Sequence, residues 1–140
     1  MIRLYSADPQ TSIEFYPKAV SETFTFSDMV YLSGDGYVTK AVDGASFVPL
    51  GLIYKAIAAT DSDYASATRV PVLVPGPDAI FECDVTTGTA AATDVGEWID
   101  IDDHNSVDVA ASTYDLFFVT KVISGTVVLA KMAKKSGVAI

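Results

Sequence analysis

With 140 residues, half of them hydrophobic and 19% charged, the chain is long enough for one domain and too apolar to stay generally disordered. A chain of this size buries about 68–70% of its unfolded surface, so a core can form without disulfide or metal staples. The net charge of −9 repels phosphate backbones, which argues against a nucleic-acid partner.

The mean hydropathy is positive, high for a soluble monomer, so some apolar surface is expected to lie against other chains. No apolar run reaches the roughly 18 residues of a membrane span. The opening MIRLYSADPQ lacks the basic-then-apolar layout of a secretory signal, and the lone Cys83 permits no intrachain disulfide. These features predict a protein made and folded in a cytoplasm, with no membrane partner. The short basic group Lys131, Lys134 and Lys135 reads as a solvated tail rather than a binding patch.

Along the chain, short β-type runs cut by turn residues predict an all-β domain, a small antiparallel β-barrel or β-sandwich. Residues 1–27 stand apart as an extended N-terminal arm, 28–132 as the β-domain and 133–140 as a C-terminal tail. The arm spaces its apolar residues irregularly and is interrupted by Pro9 and Pro17. Ile2, Leu4, Tyr5, Ile13, Phe15, Tyr16, Phe24 and Phe26 are its candidate contact residues. Two readings stay open: the arm packs on a neighbouring subunit, or it folds back over its own core.

From Met29 the pattern is regular. Met29–Leu32 and Tyr37–Val42 read as a hairpin around Ser33-Gly34-Asp35-Gly36, because glycine supplies the positive φ of tight turns. Asp43-Gly44 makes the next turn, and Leu50–Ala58 reads as an apolar strand with Gly51 at a bulge or close approach. Residues 60–68 form an exposed loop. In Arg69–Val74 the three valines Val70, Val72 and Val74 share a face, and Pro71 places the strand at an edge or bulge. Asp78–Val85 alternates, with Ala79, Phe81, Cys83 and Val85 inward. Residues 86–96 are a loop, and Glu97–Asp102 points Ile99 and Ile101 inward. Leu116–Ile123 and Thr126–Met132 flank Ser124-Gly125 as a hairpin, apolar on both faces and so covered twice.

Chemistry-bearing groups are few. His104 is the single histidine, and Cys83 faces inward, where a thiol is inert filler. Gly34-Asp35-Gly36 leads into a strand and not a helix, so it is no nucleotide fingerprint. The expectation is a protein without catalytic residues, cofactor or metal. Asp100, Asp102, Asp103, His104, Asn105 and Asp108 offer oxygen ligands suited to calcium, but the EF-hand spacing fails and a solvated acidic loop is the plainer reading. Trp98 with Tyr31, Tyr37 or Tyr54 would make a sugar-stacking platform; aromatics of β-domains also serve as core or interface anchors.

Residues 28–53, DMVYLSGDGYVTKAVDGASFVPLGLI, resemble the head decoration (capsid cement) proteins of tailed bacteriophages, in which a D-x-V-Y-L…G-x-V-x-x-A hairpin leads into a P-x-G strand. Val95–Asp100 followed by Leu116–Lys131 is similar to their closing hairpins, so the resemblance covers about two thirds of the chain. It implies a compact β-rich homo-trimer in the virion, on the capsid exterior, that binds the major capsid protein and bridges neighbouring subunits. It carries no catalytic residues to transfer. The long apolar stretch before Asp28 departs from some members. The alternative is a carbohydrate-binding β-module or fibre-associated adhesin.

Overall fold

The computed structural model describes residues 1–42, 47–66 and 68–132, and within them the chain is almost entirely β-structure. The eleven strands are β1 (Ile2–Ser6), β2 (Ser12–Pro17), β3 (Met29–Leu32), β4 (Val38–Lys40), β5 (Gly51–Ile53), β6 (Arg69–Val74), β7 (Ile80–Thr87), β8 (Trp98–Asp103), β9 (Ser106–Asp108), β10 (Phe117–Ser124) and β11 (Val127–Met132). A single 3₁₀ turn covers Ala92–Asp94. The expected Asp43-Gly44 turn and the 133–140 tail, with Lys134 and Lys135, lie outside the described residues.

Five strands close into a barrel in the order β7-β11-β10-β8-β9, and the parallel pairing of β9 with β7 seals the ring. The second sheet is ordered β2-β6-β5-β3-β4, and an isolated parallel bridge joins Lys18, just past β2, to Val38 of β4. The expected all-β fold, a barrel or a sandwich, is therefore present as a barrel, with one parallel pair in a ring expected to be antiparallel. β7 alternates as its sequence requires: Phe81, Cys83 and Val85 point into the barrel with Ile99, Ile101, Phe117, Val119 and Val128. Met29, Leu52 and Leu73 of the second sheet join the same cluster. The other face of that sheet holds a separate cluster of Phe24, Val30, Val38, Ile53, Ile57, Val70 and Val72.

The first 27 residues are woven into both sheets and are not a separate arm. β1 pairs with β7, and β2 with β6. β1 occupies the edge of β7 along residues 80–83, and β9 takes the same edge further on at Val85 and Thr87. Folding back over the core is thus the arrangement of this segment, driven by Ile2 and Phe24, which are sealed in the two clusters.

Other differences from expectation have local causes. The Leu50–Ala58 run makes only three strand residues, because Ile57 instead exchanges backbone bonds with Phe24 and fills the second cluster. Pro71 sits on a central strand, between β2 and β5. It is tolerated because β5 stops at Ile53, and Tyr54 then donates its N–H to the Pro71 carbonyl at 3.0 Å. Gly51 is a close approach, as read: a Cβ there would lie 2.0 Å from the Leu73 carbonyl oxygen. The β10–β11 hairpin turns one face into the barrel, where Val122 packs beside its partner Val128, while Phe118 is half-buried on the other face and Ile123 is exposed.

Two polar devices hold the irregular segments. Lys18 is fully buried, and its ammonium donates to the carbonyls of Ala19, Tyr64 and Ser66 at 3.0, 3.0 and 2.8 Å. Three donors meet three acceptors, so the buried charge is hydrogen-bonded in full. The Asp8 carboxylate accepts the N–H groups of Asp78 (2.9 Å) and Gln10 (3.1 Å) and the hydroxyl of Thr11 (2.8 Å). Thr11 Oγ1 accepts the Gly76 N–H at 3.2 Å. This ties the β1–β2 connection to the β6–β7 connection at the corner where both cross between sheets.

Lys18→Met keeps the stem but removes the donors. It is expected to lower stability by about 3 kcal/mol, seen as a reduced urea midpoint at unchanged slope. The Asp78 N–H, above the other contacts, holds the Asp8 carboxyl below its ordinary value of 3.8. A lowered folded pKa stabilises above the unfolded value and is lost as pH falls through the folded one. The Tm difference between wild type and Asp8→Ala should accordingly be full at neutral pH and shrink as the pH drops below 3.8.

Candidate functional site

The second sheet overhangs the barrel on its inner side. Cross-strand partners share a face, and two register pairs carry that face to the β2 edge: Ile13 opposite Leu73, and Phe15 opposite Pro71. Leu73 is covered by the barrel, whereas Ile13 and Phe15 beyond it are 45% and 60% exposed. Tyr54, bonded to Pro71, extends the exposed strip, and Phe26 packs on Tyr54 with ring centroids 5.4 Å apart. Tyr54 is 47% and Phe26 51% exposed. Ile13, Phe15, Pro71, Tyr54 and Phe26 therefore form one apolar band. At its Phe26 end a groove of about 220 Å³ separates Phe26, Leu52 and Tyr54 from Arg3 and Leu4 of β1.

The backbone of β2 adds to this surface. The Pro71 carbonyl is used on the β5 side, so Phe15–Pro71 is a non-hydrogen-bonded pair. The Lys18 N–H donates to the Thr68 carbonyl at 2.9 Å, which sets the same alternation: even-numbered residues face β6 and odd-numbered ones face away. Ile13 and Phe15 hence present their side chains on the exposed part of the inner face and their backbone groups toward the unpaired side of β2. Arg69, itself exposed, reaches over to the Phe15 carbonyl at 3.4 Å.

Of the eight contact residues proposed from sequence, Ile13, Phe15 and Phe26 lie in the band, and Leu4 lines its groove. Tyr5 is 62% exposed on β1. Ile2 and Phe24 are corrected: both are core residues with no surface to offer. Tyr16 faces the opposite side of β2 and packs on the second cluster. Tyr54 and Pro71 complete the band but are not among those eight: the pattern places Tyr54 in an apolar strand, with a candidate role beside Trp98, and marks Pro71 only as an edge or bulge.

The acidic segment is used for turn-making. Asp100 is buried and accepts the N–H groups of Thr113, Tyr114 and Asp115 at 2.9, 2.8 and 2.7 Å. Asp103 accepts from Asn105 and Ser106, Asp108 from Ala110, and Asp102 from the Thr86 hydroxyl. Asp103 and Asp108 thus close local turns while Asp102 reaches across to β7, and among the described residues no group of three or more His, Cys, Asp and Glu is placed to hold a metal. His104 contacts Asp28 through Nδ1 at 2.7 Å, and Asp28, buried, also accepts from the Thr25 N–H and hydroxyl. Burial pushes the Cys83 thiol far above its ordinary range. The envisaged aromatic platform is not assembled: Trp98 pairs with Phe118, Tyr31 with Phe47 and Tyr54 with Phe26.

Exposed and buried apolar residues of the first 27 should separate cleanly on mutation. Phe15→Ala is expected to change unfolding free energy by less than about 0.5 kcal/mol, and Phe24→Ala to cost about 3–5 kcal/mol, measured by urea denaturation. No protein-family model matches the chain, and no curated protein matches it.

Proposed function

We propose that this chain is a structural virion protein that binds the outer surface of an assembled phage capsid and stabilises it by bridging neighbouring capsid subunits. The observation that carries the reading is the band of Ile13, Phe15, Pro71, Tyr54 and Phe26, exposed beside an open strand edge. Covering an exposed aromatic or aliphatic side chain contributes about 1.5–3 kcal/mol, so the band can supply a useful contact to another protein surface. The resemblance of residues 28–53 to decoration proteins points to the major capsid protein as that surface.

Action by binding also suits the reactive groups. Cys83 is sealed in the barrel and His104 is engaged with Asp28. A homo-trimer would present three bands at once, and the avidity of several weak contacts would hold it at a symmetric position on the shell. The acidic surface would then face solvent and keep the particle dispersed.

The test is co-sedimentation with purified capsid shells assembled without this protein. Wild type is expected to pellet with the shells and raise their disruption temperature, and light scattering should give about three times the monomer mass. Phe15→Asp with Phe26→Asp should abolish pelleting while leaving the Tm of the free protein nearly unchanged. A wild-type chain that stays in the supernatant would remove the basis of the proposal.

A further inference from the structure

The barrel carries a second concavity, far from the band. His104, in the β8–β9 turn, touches the second sheet through Asp28, and Trp98 starts β8 at its opposite end, about 16 Å along the strand. Here a groove of about 280 Å³ is lined by Thr93, Asp94, Glu97, Trp98, Ala111 and Ser112, among others. Both walls are fixed before any ligand arrives. On one side Asp94 closes the turn by accepting the Ala91 N–H at 2.8 Å, and the Gly96 N–H donates to the Val119 carbonyl at 2.8 Å. On the other, Asp100 grips the loop through the three N–H groups of 113–115 and donates its own N–H to the Ala111 carbonyl at 3.0 Å.

Within this frame the side chains of Thr93, Glu97 and Ser112 are exposed and make no hydrogen bond to the described residues. One large aromatic therefore stands among two hydroxyls and the Glu97 carboxylate, which are free to bond a ligand, and beside Asp94, which holds Ala91 through one oxygen. We propose that this groove binds a neutral sugar, with the ring stacked on Trp98, its hydroxyls donating to Glu97 and Asp94 and accepting from Thr93 and Ser112. A sugar hydroxyl both donates and accepts, which matches this mixed lining; an amine only donates and would leave the hydroxyl donors unused. The two carboxylates, in a chain of net charge −9, repel uronic and sialic acids. The inference goes beyond the structural role, since it uses another surface and other residues.

Trp98 is the only tryptophan of the chain, so its emission reports this groove alone. The full chain is titrated with glucose, galactose, mannose and N-acetylglucosamine, with glucuronate and choline as charged comparators. At least one neutral sugar is expected to give a saturable change with Kd in the range of about 1–10 mM, and the comparators none. Glu97→Gln and Ser112→Ala, both at exposed positions, should each weaken that response about tenfold at unchanged Tm. The site is refuted by flat titrations with all four sugars up to about 100 mM, by a response that both variants retain in full, or by a response confined to choline or glucuronate.

Discussion

The apolar cluster that fills the barrel continues out of it. Met29, Leu52 and Leu73 lie against barrel residues, and this shared burial makes one body of a closed ring and the second sheet. The polar contacts at the junction are arranged around it: the Met29 N–H donates to the His104 carbonyl at 2.7 Å, and Asp28 holds the His104 ring. Because the barrel covers only part of the sheet's inner face, the remainder stays exposed. The apolar band is what that incomplete overlap leaves.

Much of this architecture is legible in the residues, where periodicity and turn chemistry agree. The hairpin around Ser33–Gly36 and the alternation of residues 79–85 are strong local signals, since each strand there has one wet face and one dry face. β1 and β2 are illegible for a physical reason. In β1 only Ile2 is sealed in the core, and in β2 the apolar Ile13 and Phe15 are exposed, so their short alternation does not mark a buried face. β9 is three residues long and hidden in an acidic run whose carboxylates serve turns. The contact residues were partly visible as surplus apolar side chains, but separating Phe15 from Phe24 needs the fold, because both are phenylalanines in the same irregular stretch.

Buried polar groups set the limits of variation. Lys18, Asp28 and Asp100 are almost fully enclosed, and each of them makes at least three hydrogen bonds. Such groups add specificity to loops that carry little apolar surface of their own. They act locally: Lys18 orders the segment around Tyr64, Asp28 the joint, and Asp100 the loop that leads into β10.

The shared edge of β7 has a kinetic consequence. The β10–β11 and β8–β9 hairpins join residues close in sequence and can form early, whereas β9 must find Val85 across some twenty residues and β1 must return from nearly eighty away. By loop length the docking of β1 is expected last, after β7 has met β9 across some twenty residues and β11 across more than forty. Until then β7 keeps one side bare, and a nascent chain is most exposed to mispairing there, although the finished protein leaves little trace of that vulnerable interval.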